Sequence, residues 1–263
     1  IPTGKNEKLN ISTVEVVYTV LHAGGKFGGS GYKVAGGLHG VVASVVNALS
    51  EWLEVESNHD GENVMIQRFE RGKPVYPLRF LEKSNQTGTK VTFKPDPEIF
   101  EETVFEYDTL LFWLREQAFL NAGLSIELID RRGPEPHVTS LCYEGGISSF
   151  VAYLNKSKGT LHDIIYISGE KDGSIAEIAI QFNTTYSENI LSFANNINTI
   201  DGGMHELGFK SALTKVINDY ARKHNYLKAD DKNLAGEDVR EGLTAIISVK
   251  LTNPQFDGQT KTK

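Results

Sequence analysis

Glycine is concentrated in one short stretch of this 263-residue chain, and eight of the 25 glycines lie between residues 24 and 40. Before this stretch, Ser12 and Glu15 have the spacing of a helix start, in which Ser caps the helix and Glu follows three residues later. After it, apolar residues recur at helical spacing from Val41 onward. The pattern predicts a glycine-rich loop that joins two helices, the second of which begins near His39 or the next residue.

The glycine-rich loop also lies in a stretch without acidic residues. From Val16 to Ser50 there is no Asp or Glu, although the 34 acids of the chain predict about four or five there by proportion. Glycines let backbone N–H groups approach oxygen atoms closely, and the first amides of a helix are unpaired and carry positive potential. The loop therefore suits a polyphosphate, and a disordered linker is the alternative. It is neither a Walker A loop nor a dinucleotide-binding fingerprint, because no Gly-Lys-Ser/Thr follows and a helix precedes it.

Downstream of the loop, the period of the apolar residues changes to that of strands. Leu53 and Val55 alternate with acids, Asp60-Gly61 predicts a turn, and the segment from Met65 to Phe69 predicts the returning strand of a hairpin. Further elements of the first half are predicted as a strand at 90–93, a helix at 107–121 and a strand at 124–129. The first half is therefore predicted to be α+β, with a sheet covered on one face.

The charged, proline-bearing stretch 131–136 has no periodicity and is the best boundary signal in the chain. It predicts two domains, 1–142 and 143–263. The elements predicted in the second domain are a helix at 147–154, a hairpin turning at 171–173, a strand at 189–193, a long helix at 204–224 and a last strand at 244–251.

Composition excludes several classes of protein. With 27 basic and 34 acidic residues, the net charge of −7 does not suit a chain that coats DNA or anionic lipid. No apolar run approaches the roughly 20 residues that span a bilayer, so no membrane partner is expected. Cys142 is the single cysteine, which excludes an internal disulfide and favours a reducing, cytoplasmic location. We expect Cys142 to be buried as a small apolar residue, and the chain to be an excerpt of a longer protein.

Three segments of the glycine-rich region resemble motifs of one ATPase family. His-Ala-Gly-Gly-Lys-Phe at 22–27, Tyr-Lys-Val-Ala-Gly-Gly-Leu-His-Gly at 32–40 and Ala-Ser-Val-Val-Asn-Ala-Leu-Ser at 43–50 are similar to the nucleotide-lid and phosphate-binding motifs of the ATPase subunits of bacterial type IIA topoisomerases, which are GHKL ATPases. Five further segments are similar to segments of the same family, at 87–93, 143–146, 195–199, 236–242 and 253–261.

The resemblance implies an α+β fold in two parts. The first is a GHKL (Bergerat) ATPase α/β sandwich, incomplete at its N-terminus. The second is a ribosomal-protein-like left-handed βαβ transducer domain, incomplete at its C-terminus.

The resemblance also implies ATP as the ligand. Backbone amides from Leu38 to Ser44 match those that hold the β and γ phosphates, and His39 is expected to contribute its backbone and not to act as a general base. In the second domain, Gln259 and Lys261 match a loop that touches the γ phosphate, where a lysine stabilises the charge of the transferring group. The nucleotide-binding residues implied in the first domain are Gly25, Lys26, Tyr32, Lys33, Gly37, Leu38, His39, Gly40, Val41, Val42, Ala43, Ser44 and Thr89.

Two departures from the family pattern limit what the chain alone is expected to do. The family's upstream helix, with the glutamate that activates water and the asparagine that holds Mg²⁺, has no counterpart here, and Ile1-Pro2 resembles the tail of the next motif. The adenine-binding aspartate is also upstream. The chain alone is therefore expected not to hydrolyse ATP, and the protein ligand of Mg²⁺ is expected outside it.

The second departure is Val42, which replaces a family glycine at the phosphate loop. If that position needs a positive φ or a close phosphate approach, valine weakens ATP binding, and Val42→Gly strengthens it. If position 42 is ordinarily helical, valine is tolerated.

For the longer parent protein, the resemblance implies ATP-driven homodimerisation of the ATPase subunit, coupled to strand passage and negative supercoiling of double-stranded DNA together with the gyrase A subunit. The alternatives are the corresponding ATPase subunit of topoisomerase IV, a mismatch-repair or chaperone ATPase of the GHKL class, and a structural or interaction fragment that binds no nucleotide. The Gln259-Thr260-Lys261 loop argues against the mismatch-repair and chaperone classes.

Overall fold

A computed structural model of the protein describes residues 1–25, 35–37 and 39–263. The described residues form two compact units. The first holds residues 1–25, 37 and 39–105, and the second holds residues 35, 36 and 106–263. The boundary predicted after residue 142 falls inside the second unit and, as a statement about domains, stays a prediction.

The first unit packs two short helices on one face of an antiparallel sheet. The first helix contributes Val14 and Tyr18, which pack with Leu53, Val55 and Phe69 of the sheet. In the sheet, the strands follow the order β3-β2-β1-β5, and β4 also pairs with β2. The elements are α1 (Thr13–Thr19), α2 (Val42–Ala48), β1 (Ser50–Asn58), β2 (Asn63–Glu70), β3 (Lys73–Pro74), β4 (Arg79–Lys83) and β5 (Gly88–Pro95).

Two local predictions for this unit are confirmed. Ser12 caps α1, since its side chain accepts a hydrogen bond of 3.1 Å from the amide of Glu15. Asp60 closes the turn between β1 and β2 by accepting from the amides of Glu62 and Asn63, each at 2.8 Å. Both side chains satisfy backbone donors that the helix or the strand ladder leaves free.

The second unit is built on a mixed sheet of order β11-β10-β12-β9-β8. β10 and β12 are parallel, and the chain between them passes through α5 and α6, which gives the expected βαβ connection. The elements are α3 (Tyr107–Leu120), β6 (Ile126–Asp130), β7 (His137–Leu141), α4 (Gly146–Asn155), β8 (Ile165–Lys171), β9 (Ser174–Phe182), β10 (Asn189–Ala194), β11 (Ile197–Asn198), α5 (Met204–Lys223), α6 (Gly236–Arg240) and β12 (Leu243–Lys250).

Both faces of this sheet are covered, and the sequence of β12 reflects this. Ile246 packs with Phe150 of α4 in one apolar cluster, whereas its neighbour Ala245 packs with Phe209 of α5 in another. Successive strand residues point to opposite faces, so a strand covered on both sides is buried at consecutive positions, as β12 is from Leu243 to Ser248. The predicted α+β class is confirmed.

Two details differ from expectation. The proline-bearing stretch 131–136 is the turn of the β6–β7 hairpin. Cys142 is exposed, so the prediction that it is buried is wrong. The physical reason is strand alternation, because Leu141 at the end of β7 is 3% exposed and faces inward, which turns the next side chain outward.

In the described part of the chain, no helix is long and apolar enough to cross a membrane.

Candidate functional site

The structure describes some of the predicted nucleotide-binding residues and not others. Lys26, Tyr32, Lys33 and Leu38 lie outside the described residues. Gly25 is exposed and Gly37 is partly exposed. Residues 39–41 precede α2, and residues 42–44 form its first turn.

The chain enters α2 through a turn that glycine permits. Gly40 has a φ of +59°, a conformation that strains most other residues, and Val41, with a φ of −118°, is the residue before the first helical one. The side chain of His22 makes a hydrogen bond of 2.8 Å with the carbonyl oxygen of His39. The helix begins at Val42, slightly later than predicted, because the turn at Gly40 must be completed first.

Val42 is the first residue of α2, and its side chain is 71% exposed. Val42 lies within the helix and is not among the described residues with a positive φ, so a valine is not strained there. The premise that valine is forced into a glycine conformation is therefore wrong. The amides of the first turn have no partner within the helix, as a phosphate cradle requires.

Lys261 reaches the glycine-rich loop from within the second unit. Its ammonium group donates a hydrogen bond of 2.9 Å to the carbonyl oxygen of Gly36. The side chain is partly buried and passes 5.8 Å from the ring centroid of Phe256, whereas Gln259 is exposed. The structure thus brings the charge of Lys261 to the residue that directly precedes Gly37.

Thr89 lies on β5 opposite Ser57 of β1. The backbone nitrogen of Ile1 is 3.0 Å from its hydroxyl oxygen, and the hydroxyl of Ser57 donates to the carbonyl oxygen of Ile1 at 2.7 Å. Ile1 and Thr89 are therefore neighbours within the first unit.

Each unit, taken by itself, has groups of the kind that bind phosphate oxygens. In the first unit these are the amides at the start of α2, and in the second unit it is the ammonium group of Lys261. Within the described ranges, no group of three or more His, Cys, Asp or Glu residues could hold a metal ion.

Comparison with known proteins shows similarity to DNA gyrase B. A family model described as DNA gyrase B matches residues 146–263. The DNA gyrase B protein of Halalkalibacterium halodurans is 61% identical over 265 residues, which cover all of this chain and 41% of that protein. The DNA gyrase B protein of Thermotoga maritima is 53% identical, with 42% of its length covered.

Over its whole length the chain is similar to DNA gyrase B proteins. It spans about 41% of the length of the first curated relatives it matches.

Solved structures agree with this similarity and with the fold. The 43K ATPase domain of Thermus thermophilus gyrase B, solved in complex with an aminocoumarin, has a TM-score of 0.80 and 38% identity. The alignment covers 98% of this chain and 66% of that one. The topoisomerase IV ATP-binding domain of Francisella tularensis has a TM-score of 0.76 and 28% identity over 99% of this chain and 68% of that one. The GHKL fold class is confirmed, and the relatives favour gyrase over topoisomerase IV.

One residue that contacts the glycine-rich loop at Ala35 is not singled out by the sequence. Asn195 donates a hydrogen bond of 2.8 Å to the carbonyl oxygen of Ala35. The motif at 195–199 is similar to a family segment, but a similar segment assigns no role to a single side chain. The Asn-Asn pair at the end of a strand is the available signal, because Asn tolerates the left-handed conformation of tight turns.

Proposed function

We propose that the chain is the ATP-binding and transducing part of the gyrase B protein of a type IIA DNA topoisomerase. In this proposal residues 1–142 form the nucleotide domain and residues 143–263 the transducer. Support comes from gyrase B relatives over the whole chain and from the likeness to solved ATPase domains.

The observation that carries the proposal is the hydrogen bond between Lys261 and Gly36. An ammonium group has three donors, and one suffices for the carbonyl oxygen of Gly36. In this proposal the remaining donors and the positive charge serve an anion. In the proposed role, Lys261 stabilises the charge that develops on the γ phosphate, and Gln259 assists from the same loop.

The phosphates themselves are proposed to bind backbone amides between Leu38 and Ser44 at the start of α2. Gly25, Lys26, Tyr32 and Lys33 are proposed to contact the nucleotide from the lid. Thr89 is proposed to line the adenine pocket beside Ile1. Mg²⁺ is proposed to accompany ATP and neutralise phosphate charge, with its protein ligand outside this chain.

For the longer protein, we propose that ATP binding drives dimerisation of two gyrase B proteins, and that hydrolysis supports strand passage through double-stranded DNA together with the gyrase A subunit in the cytoplasm.

The test is titration with a non-hydrolysable ATP analogue. The chain is titrated alone and joined to the residues that precede the matched segment in the H. halodurans relative. We expect Lys261→Ala to weaken binding about tenfold, since a charge-assisted hydrogen bond is lost. Lys263→Ala is the matched control, because Lys263 is exposed near Asp257 and has no predicted role at the nucleotide.

Two outcomes would contradict the proposal. If neither protein binds the analogue, the chain has only a structural or interaction role. If the chain alone and its extended form both bind the analogue, and the Lys261→Ala variant binds it as tightly as the Lys263→Ala variant, Lys261 does not contact the phosphate.

A further inference from the structure

Asn195 occupies the tight turn between β10 and β11. It is 4% exposed and has a φ of +49°, so a polar side chain is held inside the unit in a conformation that few residues adopt readily. Burying an amide is favourable only when its donors and acceptor are satisfied.

Every polar group of this side chain is used. Its Nδ2 donates to the carbonyl oxygen of Ala35 at 2.8 Å and to that of Leu251 at 2.9 Å. Its Oδ1 accepts from the amide of Leu251 at 2.7 Å. An amide has two donors and one acceptor oxygen, and no other side chain of this size offers the same set.

These contacts join two segments far apart in sequence. Ala35 precedes Gly36 and Gly37 in the glycine-rich loop. Leu251 directly follows β12 and begins the segment that carries Lys261. Asn195 therefore bonds one residue of each segment, and the side chain of Lys261 bonds Gly36, the residue after Ala35.

The backbone of the loop also lies directly against Asn195. A Cβ atom added at Gly36 would lie 2.8 Å from the carbonyl oxygen of Asn195 and 3.2 Å from the side chain of Ile197. A glycine is required for this approach, independently of the side-chain hydrogen bonds.

We propose that Asn195 is a positioning residue, which fixes Ala35 and Gly36 against the Lys261 segment so that Lys261 is held at the terminal phosphate of a bound nucleoside triphosphate. This inference rests on the proposed function. Asn195 itself touches no nucleotide. It acts through Ala35 and Leu251. Loss of its side chain should therefore weaken the interaction of Lys261 with the γ phosphate.

The test compares Asn195→Gly and Asn195→Asp with the control Asn196→Gly. Glycine removes the side chain and tolerates the positive φ, while aspartate keeps the shape but places a carboxylate against two carbonyl oxygens. Asn196 also has a positive φ, of +63°, but its side chain donates to Asn121 and not to either segment. All variants are made in the chain and in its extended form.

Two measurements are made. The first is the affinity for a non-hydrolysable ATP analogue and for ADP. We expect both Asn195 variants to bind the analogue about tenfold more weakly and ADP less than about twofold more weakly, because only the analogue has the γ phosphate. The second is hydrogen exchange, in which the amide of Leu251 should exchange at least about tenfold faster in Asn195→Gly than in Asn196→Gly.

An equal loss for the analogue and ADP, or the same loss in Asn196→Gly, would overturn the inference. If the unsubstituted protein binds neither nucleotide in either form, the proposed function fails, and with it the role at the phosphate. Hydrogen exchange then still decides whether Asn195 fastens the two segments, since unchanged exchange at Leu251 overturns that as well.

Discussion

At the scale of single residues, Val42 gives a clear test of the phosphate loop. Because it is the first residue of α2 and largely exposed, Val42→Gly should lower helix stability by about 0.3 to 1 kcal/mol. Affinity for a non-hydrolysable ATP analogue should be unchanged or slightly weaker. Thermal denaturation and calorimetric titration measure the two effects.

Val42→Ala is the matched control for this prediction. Alanine keeps a Cβ atom and favours helix more than valine, so its stability should equal or exceed that of the unsubstituted protein. Stronger analogue binding by the glycine variant alone would show that a side chain at position 42 obstructs the phosphate.

The contrast between Lys261 and Asn195 shows what the sequence reveals about the site. Lys261 lies in a motif long enough to be matched to a family, and its charge suggests a role at a phosphate. The role of Asn195 depends on a contact with Ala35 across 160 positions, and no local pattern predicts such a contact. The prediction for Cys142 failed for a related reason, because its exposure depends on whether its side chain points inward or outward at the end of β7.

At the scale of elements, the turn between β1 and β2 should make stability depend on pH. The pKa of the Asp60 carboxyl is lowered from 3.8 to about 2, first by the hydrogen bond from the Asn63 side chain and then by backbone amides. A lowered folded-state pKa stabilises the fold above the unfolded value, and this contribution is lost as pH falls through the folded value. The stabilisation is therefore present above about pH 4 and lost toward pH 2.

Asp60→Asn should accordingly lower the melting temperature at pH 7, and the difference from the unsubstituted protein should shrink between about pH 4 and pH 2. Glu62→Gln, which removes a neighbouring charge of the same turn, is the control. A pH-independent difference would mean that the Asp60 charge does not contribute.

Elements with strong periodicity were predicted well. α3, α4 and α5 begin and end within about two residues of the predicted positions, and the turn of the β8–β9 hairpin lies at the predicted residues. The short strands β3, β4 and β11 were not predicted, because their residues pair with strands that are fixed elsewhere and carry little pattern of their own.

At the scale of the whole molecule, the identity of 61% to the H. halodurans relative makes a direct exchange possible. A chimera in which this chain replaces the matched 265 residues of that protein should supercoil DNA with the H. halodurans gyrase A subunit in an ATP-dependent manner. The flanking residues of the relative then supply the upstream glutamate and the Mg²⁺ ligand that the resemblance places outside this chain.

The chain alone should release no phosphate from ATP above background, whereas the chimera should turn over ATP, because positioned general-base catalysis typically contributes about 10² to 10⁴-fold. In the chimera, Lys261→Ala should reduce both hydrolysis and supercoiling by about tenfold or more, and Lys263→Ala should leave both within about twofold.

Hydrolysis by the chain alone at a rate comparable to that of the chimera would place the activating base inside the chain. A chimera that hydrolyses ATP and relaxes DNA without supercoiling it would favour the topoisomerase IV type of ATPase subunit. A chimera that binds ATP but does not hydrolyse it would show that the chain cannot support catalysis even when the upstream base is present.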